Sequence, residues 1–320
     1  MISVKKLTKL YRSQVKTGNI YKDFFHPVYK NQKALDDISF EIEQGELIGF
    51  IGPNGAGKTT TMKILSGILY PSHGEIQVLK FTPWEKKSAF LKQIGFVMGQ
   101  KNQLLWDLPA TDSFRLNKEI YEIPENVYKK NVDELITLLE CKDFIHQQVK
   151  TLSLGQRMRV ELIASLLHNP KILFLDEPTI GLDIFAQQII VNFIKQYQEE
   201  KKATIILTSH YMQDVQRLAK RILFINKGTI IYDGTLEKLL STYSTDKTIE
   251  LTLSTPISKE VQKQFSIQTE DYTFPKLRLC VKKEQLSDVL SRLLPNVEFN
   301  DLSIEEESLE DVIKKMYQEK

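Results

Sequence analysis

Short apolar runs separated by turns fill roughly the first 95 residues of this 320-residue chain. Such runs are typical of β-strands, and they predict strands over Ile2–Leu7, Ile38–Ile42, Leu47–Ile51 and Glu75–Phe81. From about residue 100 to residue 168 the apolar positions change to a helical spacing, and residues 170–235 return to alternating strands and helices. We therefore expect an α/β core that a helical subdomain interrupts in sequence.

The pattern changes again beyond about residue 246. Strand-like runs at Thr248–Leu253 and Lys276–Val281 and a helical run at Asp288–Leu294 predict a small α+β domain. The tail, Ser308–Gln318, is predicted to form a helix with its apolar residues on one face. The expected domain limits are residues 1–240 and residues 246–320.

A phosphate-binding pattern, G-x-x-x-x-G-K-[ST], lies between the strand Leu47–Ile51 and a helical run. Glycines let backbone N–H groups point at phosphate oxygens, and the N-terminus of a helix attracts anions. Lys58 is expected to reach the β- and γ-phosphates, and the Thr59 hydroxyl is expected to bind Mg²⁺. A glycine turn that merely precedes a helix is the alternative. The residues expected to bind the nucleotide here are Gly52, Pro53, Asn54, Gly55, Ala56, Gly57, Lys58, Thr59 and Thr60.

A second apolar run, Lys171–Leu175, ends in two acidic residues, Asp176 and Glu177. Parallel sheets place their ligands at the carboxyl ends of the strands, so both acids are expected beside the phosphates. We expect Asp176 to hold the Mg²⁺ site and Glu177 to act as the general base for the attacking water. A strand followed by an acidic turn is the alternative.

A third motif, Leu152-Ser153-Leu154-Gly155-Gln156, opens a helical run in which Ser153 is well placed as the N-cap. The order of phosphate loop, L-S-x-G-Q motif and acidic strand resembles ATP-binding cassette (ABC) proteins, whose motif is usually L-S-G-G-Q. Leu154 departs from that pattern. The resemblance implies a P-loop NTPase fold, the ABC cassette, with a mixed β core plus a helical subdomain, beside the small C-terminal α+β domain. It also implies that Ser153, Gly155 and Gln156 bind nucleotide, with Ser153 and Gly155 at the γ-phosphate.

The same resemblance assigns four further positions. Tyr11 matches the aromatic that stacks on adenine, with core packing as the alternative. Gln100 matches a catalytic glutamine that also binds the metal; because Met-Gly-Gln replaces the usual Pro-Gln, Gln103 is the alternative. Asp183 matches a loop that crosses to the opposite subunit, and the resemblance implies that it belongs to the nucleotide-binding residues. His210 matches the histidine that contacts the γ-phosphate, with a structural or surface role as the alternative. The implied catalytic residues are Lys58, Gln100, Glu177 and His210, and the implied Mg²⁺ ligands are Thr59, Gln100 and Asp176.

Composition narrows the classes of function. The 43 Lys+Arg residues nearly balance the 41 Asp+Glu residues, so the chain has no global charge suited to nucleic acid. Its two cysteines, Cys141 and Cys280, are far apart and predict neither a disulfide framework nor a metal site. No apolar run approaches the ~20 residues of a membrane span, and the start lacks the apolar core of a signal peptide. If the protein acts on a membrane, we expect other chains to cross it.

An insertion, Arg12–Lys33, separates the aromatic at position 11 from the strand before the phosphate loop. It mixes aromatic and basic residues with a single acid, and the residues concerned are Arg12, Lys16, Tyr21, Lys22, Asp23, Phe24, Phe25, Tyr29, Lys30 and Lys33. Such a mixture suits an anionic membrane surface or a groove on a membrane subunit. A solvated loop whose aromatics pack on the cassette is the alternative.

Two segments, Gln100–Pro109 and Glu177–Asp183, resemble the ABC-2-type exporter ATPases of bacteria. The resemblance implies an ATP-binding and ATP-hydrolysing subunit of a membrane exporter, with ATP and Mg²⁺ as its ligands. Two cassettes, identical or related, would pair head to tail, with each ATP between the phosphate loop of one chain and Ser153 of the other. Closure of this dimer would drive separate permease subunits, which would hold the chain at the cytoplasmic face of the cell membrane. No nucleic-acid partner is expected.

Two other classes of function remain as alternatives. One is a soluble cassette protein that acts on ribosomes or DNA; such proteins carry two cassettes in one chain or long inserted coiled coils, and this chain shows neither. The other is a regulatory module that holds ATP without turnover, and the presence of Glu177 and His210 argues against it.

Overall fold

The computed structural model describes residues 1–15, 25, 28–99, 101–243, 246–265, 267–268, 271–307 and 309–318. The chain divides into two compact units, Met1–Gly234 and Thr235–Lys320. The domain limits expected from the sequence, at residues 240 and 246, stay a prediction.

Strands and helices alternate along most of the first unit. Its strands are β1 (Ile2–Val15), β2 (Val28–Ile42), β3 (Leu47–Ile51), β4 (His73–Val78), β5 (Ile94–Met98), β6 (Ile172–Asp176), β7 (Thr204–Thr208), β8 (Arg221–Asn226) and β9 (Thr229–Thr235). Its helices are α1 (Lys58–Leu65), α2 (Ser88–Leu91), α3 (Ala110–Ile120), α4 (Glu125–Leu138), α5 (Leu154–Leu166), α6 (Ile184–Lys201) and α7 (Met212–Leu218). The sequence pattern thus predicted the α/β alternation correctly.

The main sheet places its strands in the order β5-β6-β7-β3-β8-β9. Parallel pairs join β5 to β6, β6 to β7, β7 to β3 and β3 to β8. Every residue of β3, β6 and β7 is buried, as expected of apolar runs that are covered on both faces of a parallel sheet. Because these strands share one direction, the segments that follow them meet along one edge of the sheet.

An antiparallel sheet of β2, β1 and β4 forms the second layer of strands in this unit. Strand β1 continues well past its predicted end at Leu7, because it pairs with β2 as far as Val15 opposite Val28. Strand β4 ends at Val78 rather than at Phe81, because the next two residues turn the chain with φ values of 54° and 66°. Both corrections concern ends that depend on cross-strand pairing and turn geometry.

The two ends of the insertion Arg12–Lys33 pair with each other as strands and are not open loops. Its described flanks belong to β1 and β2, where the Arg12 guanidinium carbon lies 3.9 Å from the ring centroid of Tyr29. The flanks therefore form a two-stranded ribbon that continues from the antiparallel sheet. Residues 16–24 and 26–27 lie outside the described residues, and they include Lys16, Tyr21, Lys22, Asp23 and Phe24.

The second unit is a small α+β fold. Its strands are β10 (Asp246–Leu253), β11 (Tyr272–Thr273), β12 (Lys276–Lys282) and β13 (Phe299–Glu306), and its helices are α8 (Leu236–Tyr243), α9 (Lys259–Gln264), α10 (Leu286–Leu293) and α11 (Leu309–Gln318). The strands pair antiparallel in the order β11-β12-β10-β13. The core of this sheet buries Ile249, Leu251, Leu253, Leu277, Leu279 and Leu293.

The last helix of the second unit is fixed by apolar and ionic contacts. Its buried residues are the ones predicted from the sequence: Leu309, Val312, Ile313 and Met316. On the same helix, the Lys315 ammonium donates to carboxylate oxygens of Asp246 (2.6 Å) and Glu307 (2.9 Å). None of the helices in the described part of the chain combines the length and apolar composition needed to cross a bilayer.

Candidate nucleotide-hydrolysis site

The phosphate loop follows buried strand β3 and ends where α1 begins at Lys58. Its backbone demands glycine at two positions. Gly52 has a φ of 155°, and a Cβ there would lie 2.1 Å from the carbonyl oxygen of Ile225. Gly57 has a φ of 116°, and a Cβ there would lie 2.5 Å from Leu35 Cδ2. A side chain at either position would force the loop away from the sheet.

The remaining loop residues form a turn with an exposed tip. Asn54 and Gly55 are exposed, whereas Ala56 is buried and its N–H donates to the carbonyl oxygen of Pro53 (3.1 Å). Thr60 lies half-buried in the first turn of α1. The turn thus directs the exposed backbone and the positive end of α1 to the same side.

Lys58 is a buried cation, and among the described residues no carboxylate forms an ion pair with its ammonium. Its ammonium donates to the carbonyl oxygens of Gly52 (2.7 Å) and Pro53 (3.1 Å). Burial lowers its pKa, while the charges of Glu177 and Asp176 act in the opposite direction. Two neutral carbonyl groups do not neutralise an ammonium, so this side chain can still attract an anion strongly.

Asp176 joins the phosphate loop to the neighbouring strands. Its carboxylate accepts hydrogen bonds from the Thr59 hydroxyl (2.9 Å to Oδ2) and from the Thr208 hydroxyl (2.7 Å to Oδ1). The structure therefore brings together two of the three residues that the resemblance implies as Mg²⁺ ligands, Thr59 and Asp176. Thr208, which lies directly opposite Asp176 in the pairing of β6 with β7, is not among the site residues predicted from the sequence.

Glu177 and His210 meet at the same edge of the sheet. The Glu177 Oε1 atom lies 2.7 Å from His210 Nε2. The Glu177 N–H donates to both the hydroxyl (3.0 Å) and the carbonyl oxygen (3.1 Å) of Thr208. Glu177 also adopts a left-handed φ of 55°, which costs a non-glycine residue on the order of 1 kcal/mol. The carboxylate of Glu177 is thus held in one position by its neighbours and its backbone.

A cavity of about 190 Å³ lies against these groups. It is lined by Thr59, Lys63, Met98, Gly99, Lys101, Asp176 and Glu177. Gln100 lies outside the described residues, but both of its sequence neighbours line this cavity. The alternative, Gln103, instead donates its backbone N–H to Glu161 Oε1 on α5 at 3.4 Å. The register of this glutamine therefore stays a prediction.

The L-S-x-G-Q motif is built into the start of α5. The Gln156 N–H donates to the Ser153 hydroxyl (3.2 Å), and the Ser153 N–H donates to the Gln156 side chain (2.9 Å). Ser153 is therefore the N-cap, as predicted, and the S-x-x-Q spacing is the sequence signal for this reciprocal pair. At Gly155, a Cβ would lie 2.6 Å from Ala186 Cβ, so glycine lets α5 approach α6 closely.

Asp183 caps α6, because its Oδ1 atom accepts from the N–H of Ala186 at 2.9 Å. Asp214, a buried acid on α7, holds the start of α6 and the segment before it in place. This residue was not predicted from the sequence, and no motif marks it. Its carboxylate accepts from the Thr179 hydroxyl (2.8 Å) and from the Gln187 amide (3.0 Å).

Within the described chain, no hydrogen bond joins the L-S-x-G-Q motif or Asp183 to the phosphate loop. One chain thus holds two separate parts of the expected nucleotide site.

Tyr11 lies on β1, where its side chain is 39% exposed. The Lys9 ammonium lies 5.2 Å from the centroid of its ring. Core packing, the alternative reading of this residue, is therefore wrong. Its stacking on adenine stays a prediction.

Comparisons with known proteins show what this chain is similar to. A family model described as ABC transporter matches residues 35–180. The chain is 34% identical over 215 residues to the ABC transporter ATP-binding protein NatA of Bacillus subtilis (strain 168), a match that covers 67% of this chain and 87% of NatA. It is 27% identical over 314 residues to the Bacitracin transport ATP-binding protein BcrA of Bacillus licheniformis, covering 94% of this chain and 96% of BcrA.

The fold is also similar to that of the dimeric cassette MJ0796, which was solved in a post-hydrolysis state bound to ADP and Pi. That similarity has a TM-score of 0.62 at 25% sequence identity, and it covers 74% of this chain and 99% of the other. The resemblance inferred from the motifs is confirmed. The chain belongs to the ABC transporter family, as an ATP-binding subunit that hydrolyses ATP.

Proposed function

We propose that this chain drives a membrane exporter, as one of two cassettes that close head to tail around ATP and act on separate permease subunits. The observation that carries the proposal is the meeting of Thr59, Asp176, Glu177 and His210 at one edge of the sheet, with Ser153 held elsewhere. The names of the relatives NatA and BcrA, an ABC transporter protein and a bacitracin transport protein, support a role in transport.

The phosphate loop and its neighbours fit a triphosphate with Mg²⁺. Lys58 supplies a buried positive charge, and the glycine turn exposes backbone N–H groups beside the N-terminus of α1. The Thr59 hydroxyl and the Asp176 carboxylate are oxygen ligands of the kind Mg²⁺ prefers, and Gln100 is the third ligand that we assign. When bound, Mg²⁺ would offset phosphate charge and orient the phosphates.

Glu177 is the group that we assign to remove a proton from the attacking water. Its carboxylate is half-shielded beside the cavity and is oriented by His210 Nε2 at 2.7 Å. The two hydrogen bonds from its N–H to Thr208 hold the backbone below it. A base that is held before the water arrives loses little freedom during the reaction.

The second cassette would complete the site. Ser153 and Gly155 lie on the same chain as the phosphate loop but have no hydrogen bond to it within the described residues, so a second copy, or a related cassette, would supply them. Beside Asp183, the residues Ile184 and Phe185 are 81% and 83% exposed. Adjacent apolar side chains with this exposure mark a surface that another protein covers. The dimeric state of the cassette MJ0796 supports the pairing of two cassettes.

A groove on the first unit suits a permease. A cavity of about 490 Å³ there is lined in part by Ile68, Leu91, Phe96, Ile120 and Tyr121. Several of these side chains are exposed, as are Leu105, Trp106 and Leu108 on the segment that follows Gln100. We assign this surface to the permease, and we assign the ribbon around Arg12–Lys33 to permease or membrane contact. The chain would then lie at the cytoplasmic face of the cell membrane.

Mixing two inactive variants tests the composite site. Lys58→Ala damages the phosphate loop, and Ser153→Arg damages the motif that the other chain uses. In a 1:1 mixture about half of the dimers are mixed, and each mixed dimer keeps one of its two sites intact, so ATPase activity should recover to at most about a quarter of wild type. No recovery in mixtures shown to form mixed dimers, or full wild-type activity of monomers at high dilution, would refute the shared site.

A further inference from the structure

The segment Lys101–Pro109, here called the connecting loop, runs from the nucleotide cavity to helix α3. At its start, the Gly99 N–H donates to the carbonyl oxygen of Asp176 at 2.9 Å, and Lys101 lines the cavity. The acidic edge of the sheet is thereby hydrogen-bonded to the residue two positions before this loop. The loop is fastened along its length to the helix that carries the L-S-x-G-Q motif.

Glu161 on α5 provides the first attachment. Its side chain is buried, with only 4% of the residue exposed, and its Oε1 atom accepts the N–H of Gln103 at 3.4 Å. Buried carboxyl groups require a hydrogen-bond donor. Burial raises the pKa of Glu161 to about 7, opposed by the Gln103 N–H and by the nearby charge of Arg157.

Arg157 provides the second attachment, one helical turn before Glu161 on the same face of α5. Its guanidinium carbon lies 5.5 Å from the ring centroid of Trp106. The backbone carbonyl of Trp106 also accepts the N–H of Lys150 (3.0 Å), and the Lys150 ammonium donates to Asp107 (3.0 Å). The connecting loop is thus bound both to α5 and to the segment that leads directly into Ser153.

We propose that Glu161 is a positioning residue that ties the nucleotide cavity of each cassette to its own L-S-x-G-Q motif. With Arg157, it holds the connecting loop on α5, so that a displacement beginning beside Asp176 carries Ser153 with it. The proposal rests on the composite site proposed above, because Ser153 then acts on the ATP of the other chain. Glu161 would affect turnover without touching the nucleotide.

The test compares three variants of the full-length chain. Glu161→Ala removes the acceptor, Glu161→Gln keeps an acceptor oxygen, and Glu199→Ala changes an exposed acid on α6 as the matched control. Glu161→Ala should lower kcat about tenfold, the factor that corresponds to the loss of one hydrogen bond of about 1.4 kcal/mol. KM and the affinity for a fluorescent ATP analogue should stay within about twofold of wild type. Glu161→Gln should restore most of kcat, and Glu199→Ala should change nothing.

A spectroscopic measurement separates positioning from folding. The chain has two tryptophans, so Trp84→Phe leaves Trp106 as the only one. In that background, Glu161→Ala should shift Trp106 emission to longer wavelength because the loop leaves α5, whereas Glu161→Gln should not. Unchanged emission together with unchanged kcat would overturn the proposal, and so would shifted emission with kcat unchanged.

A second variant covers the case in which Glu161→Ala does not fold. Trp106 is 44% exposed, so Trp106→Ala should fold, and loss of its contact with Arg157 should lower kcat about threefold. Wild-type kcat in this variant would overturn the proposal. If instead the wild-type chain hydrolyses ATP as a monomer, the composite site fails, whereas the emission of Trp106 still reports whether Glu161 holds the loop.

Discussion

Thr208 is the hydroxyl on which both acidic residues of the site depend. Its Oγ1 atom donates to Asp176 Oδ1 at 2.7 Å and accepts the Glu177 N–H at 3.0 Å, and the residue is fully buried. Thr208→Val keeps the volume and the branched shape that suit a strand, but it removes this hydroxyl. We predict that it impairs hydrolysis more than it impairs folding.

The expected size of the effect follows from the two bonds. A hydrogen bond to a charged carboxylate contributes about 1.5–3 kcal/mol. The Glu177 N–H keeps the carbonyl oxygen of Thr208 at 3.1 Å, and Asp176 keeps the Thr59 hydroxyl at 2.9 Å, so neither group is left without a partner. The free energy of unfolding should therefore fall by about 2 kcal/mol. Loosened carboxylates should lower kcat by about tenfold to a hundredfold.

Strand β7 supplies a matched control. Thr204 is equally buried, lies at the opposite end of the same strand, and accepts the Gly45 N–H at 2.9 Å. Thr204→Val should lower stability by a similar amount and leave kcat within about twofold of wild type. Urea unfolding and steady-state ATPase assays on both variants measure the two quantities. If Thr208→Val loses stability but keeps wild-type kcat, as Thr204→Val does, the hydroxyl does not position the acids.

Two further predictions concern the ribbon and the buried acid. Replacing Tyr21–Tyr29 with a Gly/Ser linker should leave the ATP affinity of the isolated chain within a few-fold of wild type, because the charge-assisted phosphate contacts lie elsewhere. The same change should weaken permease binding or uncouple hydrolysis from transport. Lost ATP binding or unchanged transport would contradict this prediction. Burial raises the pKa of Glu161 from 4.5 to about 7. Between these two pH values the native chain therefore binds more protons than the unfolded chain. The free energy of unfolding of the wild type should fall by up to about 3 kcal/mol as the pH rises through this window. Relative to wild type, Glu161→Gln should therefore gain stability as the pH rises from about 4.5 to about 7, and a difference that is flat with pH would contradict the shift.

The elements that the sequence predicted are those fixed by local chemistry. The phosphate loop follows from glycine spacing, because Gly52 and Gly57 occupy backbone that other residues would distort. The N-cap role of Ser153 follows from Gln156, which lies three positions later and completes the reciprocal pair. The placement of Asp176 and Glu177 at the end of β6 follows from the apolar run of strand length that precedes them. In each case the residues that form the sequence pattern lie within a few positions of one another, even where their packing partners do not.

The features that escaped the sequence depend on distant parts of the chain. Thr208 gains its role only because β7 pairs with β6 in a register that sets it opposite Asp176. The extension of β1 depends on its pairing with β2 across residues whose own sequence resembles a loop. No residue of strand β13 is buried, so its apolar pattern was too weak to predict it. Asp214 holds its position in the site through hydrogen bonds from side chains that lie 27 and 35 positions away in sequence.

The central claim is that Glu177 acts on ATP held between two cassettes, and Glu177→Gln tests it most directly. This change removes the negative charge of the base but leaves Lys58, Thr59 and Asp176 in place. With ATP and Mg²⁺, light scattering on the purified variant should give twice the 37.1 kDa mass of one chain, with ATP retained and no steady-state release of phosphate. Near-normal turnover, or an ATP-bound variant that stays at the mass of one chain, would contradict the account.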